Sequence, residues 1–340
     1  MYGMKNTINR LVVKARRTYY EKVHPKMFKE IPCVIQPNHP SFGFFAHYVN
    51  IIGILRAEIE RGNTPYIDMG YFSNCYLKKE NVGKVNTWEL YFEQPFTVEG
   101  IMVGKLSSLD KQIFLNKSNG KQSVVRLIRN YHAYGSFQRP EDTCDFLTNS
   151  RAVVWWQKFA HKYTRFNETT RNHINQLHEK LFRSNERVLG VLLRGTDFSD
   201  NKPKNHPIPP TVEEAIPKIQ EEFAGKAYDR IFLVTEDNRI VAKMQEEFGE
   251  KIFVAPQKRY GYTEHKFLNE IYAEDQELDS YQMGLDYITA IALLGRCNAL
   301  MACRTSGAVA ALILADQYEY TYFWNLGRYG TQEYDIQEDI

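Results

Sequence analysis

Two residues three apart, Arg194 and Asp197, follow directly on the aliphatic run "VLGVLL" at 188–193. A guanidinium offers a planar fork of N–H donors that matches a phosphate or carboxylate, and a nearby carboxylate can orient it or accept a proton. A second polar break, Thr305–Ser306–Gly307, stands immediately before the apolar stretch "AVAALILA" at 308–315. The start of a helix there would present unpaired N–H groups and the positive end of a dipole, which suits an anion. A third, Thr235–Glu236–Asp237, closes "RIFLV" at 230–234. Each has a plainer explanation. Arg194 and Asp197 can be an ion pair organising a turn, with Thr196 capping a helix. Thr305 and Ser306 can be an ordinary N-cap, and Asp237 the cap of the next helix. Asp286, alone in an apolar helix, can simply face solvent.

The elements that must carry these residues argue for the chemical reading. From 188 onward strands and helices alternate: strands over 188–193, 230–237, 251–256, 298–303 and 318–324, and helices over 211–225, 238–250, 280–297 and 306–317. Such alternation predicts a parallel sheet with right-handed crossovers, covered on both faces. Ligands bind such sheets beyond the carboxyl ends of the strands, and all three polar breaks fall there. Earlier in the chain, "PCVIQP" (32–37) and "TPYIDM" (64–69) read as strands flanking a helix from Phe44 to Arg61, stopped by Gly62. A second α/β domain is therefore expected, with long loops around 72–150. A continuous helical reading over 153–182 places the boundary near residue 184, giving an N-terminal α/β domain over 1–184 and a Rossmann-like domain over 185–340.

Composition bounds the rest. The 340 residues are 43% hydrophobic and 25% charged with a net charge of +2, an ordinary globular chain without the field that nucleic acid would require. Five scattered cysteines without a C-x-x-C pattern argue against a disulfide framework or zinc site and fit a cytoplasmic location. No apolar stretch approaches the roughly 20 residues of a membrane span. The basic N-terminus "MYGMKNTINRLVVKARRTYYEKV" reads as a solvated helix, with weak peripheral contact to an anionic membrane as the alternative. There is no dinucleotide fingerprint, no P-loop, no nucleophile elbow and no histidine pair at metal-ligand spacing, so no metal is expected.

The segment "VLGVLLRGTDF…NHPIPP" resembles the signature strand and loop of the α-1,6-fucosyltransferases and the O-fucosyltransferase-like superfamily. In both, His206–Pro207–Ile208 or its counterpart begins nine residues after the Asp, here Asp197. "AVVWWQKFAHKY" (152–163), "IFLVTEDN" (231–238), "LLGRCNALMACRTSGAVAALI" (293–313) and, more loosely, "HPSFGFFAHYVNIIGILRAEIERGNTPYIDM" (39–69) resemble further segments of that group in the same order. The resemblance implies a GT-B-like α/β fold, two Rossmann-like domains facing across a cleft, and an inverting, metal-independent transfer of fucose from GDP-fucose to a glycan acceptor, with no cofactor beyond that donor. It implies that Arg194 binds the diphosphate and stabilises the departing GDP, that Ser306 with the final helix holds the same phosphates, and that Gly43 and Phe44 approach them. His206, Asp286, Arg304 and Thr305 complete the implied donor set.

The sequence also departs from that group. The position two before the Arg is Leu192 rather than His, the second Arg is Gly195, an acidic position five after the Asp is Lys202, and the Asp facing the nucleotide base is replaced by Ala290, with Asp286 one turn earlier. For the base that takes the acceptor proton, Asp200 is the first candidate and Asp197 the second. A transferase using another nucleotide sugar, a non-catalytic nucleotide-sugar or glycan binder, and an unrelated Rossmann-like enzyme such as a methyltransferase remain alternatives. "NTWELYFEQP" (86–95) offers aromatic and acidic groups to an acceptor, or equally to a core.

Overall fold

A computed structural model describes residues 32–37, 42–70, 73–97, 113–118, 121–128, 147, 150–263, 266–275 and 278–330. The basic N-terminus expected to be a surface helix lies outside them. The chain divides into two compact units, one built from residues 1–41, 47–138 and 162–165, the other from 42–46, 139–161 and 166–340.

Strand β1 (Pro32–Ile35) leads to α1 (Phe44–Glu60), which belongs to the first unit from His47 onward, and to β2 (Thr64–Ile67), as the sequence predicts. The helix stops because Gly62 takes the left-handed conformation, φ +79°, which lets the Asn63 N–H reach back to the Glu58 carbonyl. Two further strands, β3 (Ile113–Ser118) and β4 (Lys121–Ile128), form an antiparallel pair in a stretch read as loop. The sheet order is β2-β1-β4-β3, with β1 parallel to both β2 and β4. Asn119–Gly120 between the last two strands was the available hairpin signal. In the 86–95 segment Trp88, Tyr91 and Phe92 are buried, and Trp88 stacks on Phe92 at 4.6 Å, so these rings serve the core.

The expected continuous helix over 153–182 is two helices, α2 (Ser150–Tyr163) and α3 (Glu168–Leu181). Asn167 starts the second by accepting a hydrogen bond from the Thr170 N–H at 2.9 Å, a local cap that apolar periodicity does not reveal. The second unit continues with β5 (Val188–Leu192), the short α4 (Thr196–Asn201), α5 (Val212–Gly225), β6 (Arg230–Val234), α6 (Asn238–Phe248), β7 (Ile252–Phe253), α7 (Leu268–Glu274), α8 (Ser280–Leu294), β8 (Ala299–Cys303), α9 (Ser306–Leu314) and β9 (Tyr320–Trp324). Strand β7 is shorter than expected, and Pro256, three residues on, has no N–H to give a ladder.

All five strands are parallel, in the order β7-β6-β5-β8-β9. Strand β5 is central and buried along its whole length, which is why its sequence is aliphatic rather than alternating. Chain order reverses between β5 and β8, because the crossovers run outward from β5 through β6 and β7 and then return to β8 on its other side. That reversal is the topological switch point, where connections depart in opposite directions and leave room for a ligand.

Candidate functional site

Arg194 and Ser306 belong to the two loops that flank this switch point. The register pairs Leu192 with Ala302, so the chains leaving β5 and β8 run side by side toward Arg194 and Arg304. Adjacent strands are about 4.8 Å apart, which sets both arginines and the start of α9 on one rim of the sheet.

Arg194 is held from three sides. Its Nη2 donates to Asp197 Oδ1 at 3.0 Å, its Nε lies 3.6 Å from Glu236 Oε1, and its guanidinium stacks over the Phe198 ring at 4.4 Å. Phe198 in turn meets His206 edge-on at 5.3 Å. Burial works against the charge, but Glu236 and Asp197 more than offset it and hold the guanidinium above its ordinary pKa. Nε makes no hydrogen bond, and among the described residues Nη1 has no acceptor either. The fork is thus fixed in direction while the two N–H donors of Nη1 have no acceptor among the described residues.

The turn that aims it depends on a glycine. A Cβ on Gly195 would lie 2.7 Å from Asp237 Cβ, so only glycine admits the close approach of the β6 end. This gives a physical reason for Gly195 where the resembling family has a second Arg. Gly195 N–H donates to Glu236 Oε1 at 2.9 Å, Thr196 N–H to Asp237 Oδ2 at 2.8 Å, and the Thr196 hydroxyl to Glu236 Oε1 at 3.1 Å. Thr196 sits at φ +42°, a costly conformation for a β-branched residue, and these carboxylates hold it there.

Asp197 is buried. Besides Arg194 it accepts from the Thr196 hydroxyl at 3.3 Å and the Leu268 N–H at 3.1 Å. Asp200 lies 3.4 Å from Arg239, which also pairs with Asp237. Burial pushes the Asp237 carboxyl upward, but the hydrogen bonds from Arg239 and the N–H groups of Thr196 and Arg239 overcome this and leave it below the usual carboxylate range. A carboxylate with a lowered folded pKa contributes stability that is complete above its unfolded value near pH 4 and is lost as pH falls through the folded value. Asp237→Asn is therefore expected to flatten the acid limb of melting temperature against pH, measured between about pH 2.5 and 6. An unchanged slope below about pH 4 would remove Asp237 from the account.

On the β8 side, Thr305 caps α9 by accepting the Ala308 N–H at 3.1 Å, while Ser306 is the first helical residue and half-buried. Thr305→Ala is expected to cost about 1 kcal/mol of stability, read from urea unfolding. Tyr287 of α8 connects the two loops. A Cβ on Gly307 would come within 3.0 Å of its hydroxyl, and the Arg194 guanidinium is close enough to act on that hydroxyl electrostatically. Burial pushes the Tyr287 hydroxyl up to about 12, opposed by Arg194, so it stays protonated as a donor at neutral pH. Its ring also meets Phe45 at 5.2 Å. Phe42–Ala46 group with this second unit. Within them Phe44 is a fully buried ring, Gly43 is exposed, and the Gly43 carbonyl accepts from the Ala46 N–H at 3.0 Å.

The structure thus brings Arg194, Asp197 and His206 into one chain of contacts, with Asp200 attached through Arg239 and Asp237. The register sets Arg304, Thr305 and Ser306 on the same rim. Asp286 points elsewhere: it accepts from Gln282 Nε2 at 2.7 Å, its electrostatic neighbours are His173 and Asp279, and burial raises its pKa. Sequence reading gave no role to Glu236 or Tyr287. The polar "TED" at a strand end was the signal for the first, and Tyr287 had none. Among the described residues no group of three or more His, Cys, Asp or Glu side chains is placed to hold a metal ion, and no helix is long and apolar enough to cross a membrane.

No family model matches the chain, and no curated protein matches it. Solved structures do. A point mutant of Arabidopsis thaliana FUT1 in complex with GDP is 9% identical, with a TM-score of 0.50 over 93% of this chain and 79% of that one. Fucosyltransferase NodZ from Bradyrhizobium is 16% identical, with a TM-score of 0.46 over 84% and 94% of the two chains. POFUT1 in complex with GDP is 11% identical, with a TM-score of 0.46 over 86% and 98%. The likeness to FUT1 is one of fold: this chain shares a mixed α/β architecture with a parallel five-stranded sheet.

Proposed function

We propose that this chain is a glycosyltransferase that takes fucose from GDP-fucose and passes it, with inversion and without a metal, to a glycan acceptor. The observation that carries the reading is the Arg194 guanidinium, fixed at the switch point beside the N-terminus of α9 with Nη1 left for a ligand. In the transfer, an acceptor hydroxyl oxygen bonds to the anomeric carbon, the bond from that carbon to the β-phosphate oxygen breaks, and its electron pair stays on the GDP. Arg194 and the first N–H groups of α9 meet the charge that develops there, in a site where fixed donors need no reorganisation. The hydroxyl proton passes to a carboxylate. Asp200, on the outer side of the cluster, is the assigned acceptor, and Asp197 is assigned to positioning Arg194. Of the implied donor residues, His206 braces Phe198, Arg304, Thr305 and Ser306 flank the phosphates, and Gly43 and Phe44 contribute backbone.

The fold shared with a GDP complex of FUT1 supports a nucleotide-sugar site, and Gly195, Leu192 and Lys202 leave the donor sugar to be measured. Thermal shift across GDP-, UDP- and CDP-linked sugars, followed by donor hydrolysis, tests both. GDP stabilisation with GDP-fucose turnover supports the proposal; stabilisation by another nucleotide alone replaces the donor; stabilisation by S-adenosylmethionine alone removes the transferase reading. A second reading, a non-catalytic binder, is favoured by the engagement of both candidate bases in ion pairs, Asp197 with Arg194 and Asp200 with Arg239. It predicts a GDP shift with no turnover of any donor.

A further inference from the structure

The loop that leaves β7 carries an unusual concentration of unsatisfied polar groups. Within seven residues, Gln257 Oε1, Arg259 Nε, the Tyr260 hydroxyl and the Thr263 hydroxyl are all buried and make no hydrogen bond. Native proteins pair such groups with protein, water or ligand, since each costs about 1–3 kcal/mol when left unmade. Thr263 is 5% exposed, so its hydroxyl is well removed from bulk solvent.

Arg259 adds a charge to this set. Its Nη2 donates to the Ala255 carbonyl at 2.8 Å and its Nη1 to the Gln257 carbonyl at 3.4 Å, but among the described residues it joins no ion pair. Burial lowers its pKa without a carboxylate to oppose the effect. Two other arginines at this end of the sheet do have such partners: Arg194 has Asp197 and Glu236, and Arg239 has Asp237 and Asp200. A half-buried cation without a counter-ion is costly, and an anion supplied from solution is the natural remedy.

The loop lies on the carboxyl side of the same sheet as Arg194. Gln257 Nε2 donates to the Thr235 carbonyl at 2.7 Å, and Tyr260 exchanges backbone hydrogen bonds of 2.8 Å with Glu236 and Asn238. It therefore pairs in parallel with the chain just beyond the end of β6, through a bridge between Asp237 and Tyr260. Tyr260 and Tyr272, with ring centroids 5.7 Å apart, supply aromatic surface beside the polar groups. Hydroxyl and amide partners, a cation and aromatic faces together are what a sugar bearing a negative charge requires.

We propose that the loop 257–263 is a binding site for an anionic sugar, one carrying a carboxylate or a phosphate, with Arg259 meeting the charge and Gln257, Tyr260 and Thr263 the hydroxyls. Its role as an acceptor subsite rests on the function proposed above; the site itself does not. Saturation-transfer NMR on the full chain, at ionic strength fixed with NaCl, tests it with glucuronate, glucose 6-phosphate and glucose. Transfer to glucuronate or glucose 6-phosphate but not to glucose is expected, and the stronger of the two identifies the carboxylate or the phosphate as the source of charge. Arg259→Gln and, independently, Thr263→Val should each reduce that signal at least threefold, while Arg194→Lys and saturating GDP leave it in place. Equal signals from all three sugars, unchanged signals in both variants, or displacement by GDP would overturn the proposal, the last by making the loop part of the donor site. Failure of GDP to bind the wild-type chain, measured in parallel, would count against the transferase reading and leave the sugar result to be judged separately.

Discussion

On the proposed function, Arg194→Lys is expected to lower GDP-fucose turnover by about 10²–10³-fold, equivalent to about 2.7–4 kcal/mol of transition-state stabilisation. Lysine keeps the charge but cannot keep the geometry. The guanidinium uses one edge for Asp197, lies against Glu236 and Phe198, and keeps Nη1 without an acceptor among the described residues, which the proposed function assigns to a phosphate oxygen. A single ammonium between those two carboxylates is drawn to them and leaves the ligand. The lysine variant is more informative than alanine, because alanine leaves Asp197 buried beside an unpaired Glu236 and is expected to cost stability as well, about 3–5 kcal/mol when a buried pair loses one member. Steady-state donor hydrolysis, with circular dichroism and thermal melts alongside, separates the two effects. Full turnover in Arg194→Lys would mean that Arg194 organises the turn and touches no substrate.

Gly195→Ala should be the most damaging single-methyl change in the second unit. The added carbon would meet Asp237 at distances real Cβ atoms do not show, and the neighbour cannot swing away. Asp237 is buried and fixed by the Thr196 N–H and by Arg239. Overpacking of this kind costs about 1–3 kcal/mol, and the displaced turn carries Arg194 with it. Reduced urea midpoints and a loss of GDP-induced stabilisation are expected together. A variant that lost stability but bound GDP normally would show that the turn can shift without moving the guanidinium. Glu236 is part of the same prediction: it accepts from Gly195 and Thr196 while standing against Arg194, so Glu236→Gln, which keeps an acceptor oxygen, should preserve the turn better than Glu236→Ala.

Much of the second unit could be read from the chain. Buried parallel strands are continuous aliphatic runs, and their helices show apolar spacing closed by caps, so β5, β6, β8, β9 and α5, α6, α8, α9 lie close to where periodicity predicts. The breaks at 194, 235 and 305 were visible as polar residues at the carboxyl ends of those runs. Strand β7 was expected and is shorter than its aliphatic run; the Asn167 cap that divides α2 from α3 and the β3–β4 pair were missed, because each depends on one local hydrogen bond or turn rather than on a repeating pattern.

The sequence by itself determined which residue types stand at the strand ends: a guanidinium after β5, a Thr-Ser-Gly opening before α9 and the acidic end of β6. Only the tertiary structure decided which of them meet. Strand order is a property of pairing, so that β8 rather than β6 forms the open side of the switch point was not written in any local run. The same pairing delivered Glu236 to the Gly195 turn, Tyr287 to the mouth of α9, and Asp286 away to His173. Helical and strand periodicity fix which way a side chain faces on its own element; charge partners separated by forty residues or more are fixed by the register between elements.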